Sequence, residues 1–86
     1  MVMLSQLKPG SFARIVKIDN SLFIRDKLNS KGIFEGCFIM VISCFGLITF
    51  NANSKIFSIS KVLAKNVRVI KLIYQHHTFF EEIIFG

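Results

Sequence analysis

Tryptophan is absent from this chain, and proline, tyrosine, cysteine and acid are scarce: one Pro, one Tyr, two Cys and five Asp and Glu among 86 residues. Each shortage excludes something. Cys37 and Cys44 fall on opposite parities of one strand-like run, so they point to opposite faces and are read as unpaired thiols in a reducing compartment. They also lack the close pairing of a zinc site. The carboxylates are widely spread, and the two histidines, His76 and His77, are adjacent near the end of the chain, which leaves no hydrolytic triad to assemble. Gly32 and Gly36 follow a predicted helix instead of opening one, and no Gly-Lys-Ser/Thr follows them, so there is no phosphate loop. The chain is read as a non-enzyme without a cofactor.

What is abundant is apolar surface. The sequence is 52% hydrophobic with ten phenylalanines, and its mean hydropathy is +0.57. A membrane-spanning helix needs about 20 consecutive apolar residues. The best candidate, Cys37 to Phe50, is 14 residues long and is interrupted by Ser43, Gly46 and Thr49. Its β-branched and aromatic content suits strands. The opening "MVMLSQLKPG" has no charged region ahead of a long apolar run, so no signal peptide is expected and the location is read as cytoplasmic. The formal charge is +6, and within residues 1–72 eleven Lys and Arg face three acids, giving +8. These cations never occur in runs, and a solvated surface that keeps an apolar chain soluble is the preferred reading.

Along the chain, "LKPG" (7–10) is a turn and "SFARIVKI" (11–18) a strand with Ala13 and Ile15 on one face. "DNS" (19–21) offers helix N-caps to "LFIRDKLNSK", where Ile24 and Leu28 lie one turn apart; Gly32 is the expected left-handed residue after the helix. "CFIMVIS" (37–43) is apolar on both parities, as though both faces were covered. It pairs with "LITFN" (47–51) across "CFG"; "KIFSIS" (55–60) and "NVRVIKL" (66–72) are further strands, with one helical turn at "KVLAK". Eighty-six residues make one domain. Five short strands and one small helix after the first predict a mainly β fold, a small antiparallel barrel. The division is a barrel over 1–72 and an apolar C-terminal tail over 73–86.

The order of these residues resembles a known family. Leu4–Leu7–Gly10, Ala13–Ile15–Ile18, Leu28–Gly32–Ile33–Gly36 and Phe57–Ile59–Ala64–Val67–Val69 together are similar to the ferrous-iron transport protein A (FeoA) family of small bacterial proteins with an SH3-like barrel. Three departures stand out: Lys31 before Gly32, the apolar loop "SCFGL" in place of a Gly-Asp-Pro turn, and the last 14 residues, which match nothing in the family core. The resemblance implies a non-enzymatic cytosolic adaptor that binds and modulates ferrous-iron transport protein B, a membrane transporter with a guanine-nucleotide-binding domain. Because strand residues must fill the interior, recognition falls to outward cations, for which Arg25, Lys27, Lys31 and Lys61 are the candidates. Two alternatives are a small basic barrel binding nucleic acid and a metal-responsive domain like those appended to metal-dependent repressors. Against nucleic acid, most phenylalanines sit at strand positions expected to be buried.

The tail reads two ways. "HHTFFEE" sets His77 and Glu81 at helical i,i+4 spacing with His76 and Glu82 nearby, a minor possibility for a divalent cation. The preferred reading is an apolar tail that docks on the barrel or associates with a second copy.

Overall fold

The computed structural model describes residues 1–19 and 22–82. All five expected strands are present, and two more join them: β1 (Val2–Met3), β2 (Phe12–Ile18), β3 (Phe38–Ser43), β4 (Leu47–Ala52), β5 (Lys55–Ser60), β6 (Val67–Gln75) and β7 (Thr78–Glu81). A 3₁₀ turn (Leu4–Gln6) follows β1, helix α1 (Leu22–Lys31) follows β2, and the single turn α2 (Lys61–Ala64) follows β5. The expected N-cap residues Asn20 and Ser21 lie outside the described residues, as do Ile83, Ile84 and Phe85 of the tail.

Every strand pairing is antiparallel, in the order β1-β6-β2-β3-β4-β5, with β7 also on β6. Among the described residues the sheet wraps one apolar core of sixteen, drawn from β2 to β6, the 3₁₀ turn, both helices and the flanking Leu7 and Ile33, with no buried polar side chain. Alternation selects this set: Ile39 and Val41 from β3, Ile48, Phe50 and Ala52 from β4, Val67 and Val69 from β6. β2 breaks parity, since Ala13, Ile15 and then Ile18 are buried. A bulge between Ile15 and Lys17 supplies the extra residue that turns Ile18 inward.

Two glycines position α1 and the entry to β3. Gly32 (φ 97°) follows the helix; its N–H donates to the Asn29 carbonyl (3.0 Å) and the Ile33 N–H to that of Leu28 (3.0 Å). This is a Schellman ending, and both Ile33 and Leu28 are buried in the core beneath it. Gly36 (φ 93°) turns the chain so that its N–H reaches the Ile15 carbonyl (2.7 Å) and the Ile15 N–H reaches that of Cys37 (2.8 Å). Side chains other than glycine cost about 1–2 kcal/mol in this region.

Helix α1 is less amphipathic than its spacing suggests. Leu28 is buried and Ile24 packs partly against the core, but Phe23 is exposed. α2 is capped as its sequence allows, with the Ser60 hydroxyl accepting from the Leu63 N–H at 3.1 Å. Both cysteines are free and half-buried. Among the described residues no helix is long and apolar enough to cross a membrane, and the run from Cys37 to Phe50 is the β3–β4 hairpin.

Candidate partner-binding surface

The four predicted cations separate. Lys27 and Lys31 lie one turn apart on α1, both exposed, with the Lys27 ammonium 6.0 Å from the Phe23 ring centroid. Lys31 also sits in the last turn, where a cation complements the helix dipole. Lys61 is exposed but opens α2, which packs on the 3₁₀ turn, β4 and β5. Arg25, expected to face outward, is instead drawn back: its Nη2 donates to the Ile18 carbonyl at 3.0 Å and lies 3.2 Å from the Glu35 carboxylate. Glu35 also accepts from the Ile18 N–H at 3.4 Å, so Arg25 and Glu35 tie α1 to the end of β2 and the turn before β3. The reason is its place on the helix next to Ile24, at the margin of the buried side.

Four of the five acids pair internally, and Asp26 stands exposed on α1. Asp19 pairs with Arg68 (3.3 Å), Glu35 with Arg25, Glu81 with Arg14 and Glu82 with Lys71 (3.9 Å). Among the described residues seven of the eight lysines have no such acidic partner, so the positive charge is carried outward mainly by lysine.

The expected burial of the phenylalanines is overturned. Phe50 is buried and Phe57 packs partly against the core, stacked on Phe50 with centroids 5.7 Å apart. Seven others, Phe12, Phe23, Phe34, Phe38, Phe45, Phe79 and Phe80, are exposed by 41% or more. The two-sided apolarity of β3 was the available signal: Ile39 and Val41 fill the barrel while Phe38 and Ile42 stand outside. Register then aligns a cross-strand row, Leu72 beside Phe12, Phe12 beside Met40 and Met40 beside Asn51. With Phe38 and Phe79 these residues line an open apolar groove of about 360 Å³. Among the described residues no helix side chain lines this face, and the tail reaches it through Phe79, whose ring lies 5.2 Å from that of Phe12.

The described part of the tail is not helical. β6 runs unbroken through residue 72 to Gln75, and His76 and His77 form a two-residue turn into β7, both with positive φ (51° and 64°). The helical i,i+4 relation of His77 to Glu81 is therefore lost, because four extended residues span about 13 Å. Glu81 faces Arg14, accepting from its Nε at 2.9 Å, and Glu82 faces Lys71. Among the described residues no cluster of three His, Cys, Asp or Glu side chains is placed to hold a metal ion.

The residues that carried the resemblance now have a physical role. Leu4, Leu7, Ala13, Ile15, Ile18, Leu28, Ile33, Ile59, Ala64, Val67 and Val69 are all core, and Gly10, Gly32 and Gly36 all have positive φ. A family model for the FeoA domain matches residues 2–71. Among solved structures, one described as the iron uptake regulatory protein FeoA is 37% identical, over 83% of this chain and 96% of its own, with a TM-score of 0.77. The iron(II) transport protein A of Clostridium thermocellum is 25% identical over 79% of this chain and 44% of its own, at a TM-score of 0.71. A manganese-dependent transcriptional repressor shares the fold, at 17% identity and TM-score 0.78, over 83% of this chain but only 41% of its own. No curated protein sequence is significantly similar. Barrel, core pattern and turn glycines thus agree with a domain model spanning most of the sequence, and the chain belongs to the FeoA family.

Proposed function

We propose that this protein is a non-enzymatic cytosolic adaptor of ferrous-iron transport, binding ferrous-iron transport protein B at the inner face of the membrane and modulating it. Membership of the FeoA family links the chain to ferrous-iron transport. The observation that supports an adaptor is the filled interior: among the described residues sixteen apolar side chains and no polar one are buried, which favours recognition on the outer surface. The exposed lysines of α1 suit an acidic partner surface, whereas Arg25 holds the fold together and contributes to it less directly. Electrostatic recognition of this kind acts mainly on the association rate.

A nucleic-acid reading loses its original objection, because the phenylalanines are exposed. Their placement still favours protein: the groove around Phe12 and Phe38 has no lysine in its lining, whereas single-strand binding interleaves stacking faces with cations. The test is binding of the full chain to the cytosolic domain of its transporter at two salt concentrations. Lys27→Glu with Lys31→Glu lowers the association rate by about tenfold and flattens its salt dependence. Unchanged binding moves the contact off α1, and no binding by the parent protein overturns the adaptor reading.

A further inference from the structure

The matched family domain ends at residue 71, inside β6, and the chain then adds a hairpin whose outer strand has one neighbour. Among the described residues β7 pairs only with β6. Its free edge is predictable from one bond. The Glu82 N–H donates to the Lys71 carbonyl at 2.8 Å, which makes 71/82 a hydrogen-bonded pair. Antiparallel alternation makes 73/80 and 75/78 hydrogen-bonded too, and 72/81 and 74/79 not. Phe79 and Glu81 therefore turn their N–H and C=O groups away from β6.

Exposed edges are commonly blunted by lysine, proline or a bulge. This one has none: Thr78-Phe79-Phe80-Glu81 is regularly paired along its length. Residues 72–80 contain no Lys, Arg, Asp or Glu, while Glu81 and Glu82 are neutralised by Arg14 and Lys71. Aromatic surface stands on both sides of the ribbon, Tyr74 and Phe79 on one and Phe80 on the other, each 45–56% exposed.

We infer that β7 is a self-association edge, at which two copies pair antiparallel around a two-fold axis and extend the sheet from one molecule into the next. A second copy is the occupant favoured by charge. Two molecules of net charge +6 repel least where they meet through an uncharged segment. Register is favoured by chemistry: centring the axis on Phe80 sets Phe79 against Glu81 of the second copy in a hydrogen-bonded pair, and sets Phe80 against its own counterpart. Aromatic pairs at such close cross-strand positions are stabilising. Centring it on Glu81 instead would oppose two carboxylates. The aromatic faces and edge backbone of the two hairpins together bury on the order of 1,000 Å², which fits a weak, concentration-dependent dimer.

The experiment is sedimentation velocity of the full chain over a concentration series, with amide exchange read by NMR on the same samples. Expected are a monomer–dimer equilibrium and amides of Phe79 and Glu81 that become protected as concentration rises; Thr78 and Phe80, bonded to β6, stay protected throughout. Phe80→Lys weakens the dimer by about tenfold or more while leaving the circular dichroism spectrum unchanged. Should that variant misfold, the parent's concentration-dependent exchange decides alone. A monomer at every concentration overturns the proposal. So does a dimer in which the Phe79 and Glu81 amides exchange freely, because association then uses another face.

Discussion

β2 and the β6–β7 ribbon both alternate apolar residues, yet only one of them is sealed. In β2, Ala13 and Ile15 are fully buried because β3 and β6 flank the strand and the sheet curls over it. In the ribbon, Ile73 and Phe80 face each other across one rung, and Tyr74 and Phe79 across the next, and all four remain exposed. The ribbon extends past the β2 pairing, which ends at Leu72, and among the described residues neither of its faces has a second layer. Alternation marks which residues share a face; it does not supply anything to cover that face. The consequence is two grades of stability in one sheet, a core whose side chains are interlocked and a ribbon held by local contacts.

The contrast can be broken most directly by paired truncations. Phe50→Ala empties the centre of the barrel and costs about 3–5 kcal/mol, enough to unfold much of the population of a domain this small. Phe80→Ala removes an exposed ring and shifts stability by less than about 0.5 kcal/mol. Urea denaturation of both variants checks this, and equal losses would show that the ribbon is part of the core.

A middle-sized effect is expected on ending the chain at residue 72. The barrel stays folded and loses about 1–3 kcal/mol, from the Phe12–Phe79 contact and the Arg14–Glu81 pair, which is partly exposed and weak by itself. Thermal unfolding followed by circular dichroism measures it. An unfolded truncation would move the domain boundary outward to include β7.

The smallest effect sharpens the comparison at the turns. His77 (φ 64°) in the ribbon and Ser54 (φ 62°) in the β4–β5 hairpin both occupy left-handed backbone that glycine adopts freely. Ser54→Gly is expected to raise global stability by roughly 0.5–1 kcal/mol, because the β4–β5 hairpin forms with the core. His77→Gly slows amide exchange within β7 by up to several-fold and leaves the global midpoint nearly unchanged, since the ribbon opens locally. Exchange rates together with the denaturation midpoint separate the two outcomes.

Much of the barrel was legible in the residues. Five strands, the short helix, the turn after it and the core faces of β2 and β6 follow from period-two patterning and from glycines at Gly10, Gly32 and Gly36, all of which act within a few residues, whereas β3, apolar on both parities, did not reveal its inner face. These are also the positions that resemble the FeoA family, so the family pattern records how the chain folds more than whom it meets. The partner surface was read less well. Arg25 looked outward on a helical wheel, and only the turn that brings Glu35 and the Ile18 carbonyl beside it made it structural.

The sequence by itself determined local geometry: where strands alternate, where the backbone must turn left-handed, and which charges are available. Only the tertiary structure decided burial, because burial depends on what lies across the sheet and over it. The bulge that turns Ile18 inward, the row that aligns Phe12 with Met40 and Leu72, and the extension that leaves Phe79 and Phe80 in solvent are all consequences of register between distant segments. Register is set jointly by the whole core, and a one-residue slip would send every side chain of a strand to the opposite face.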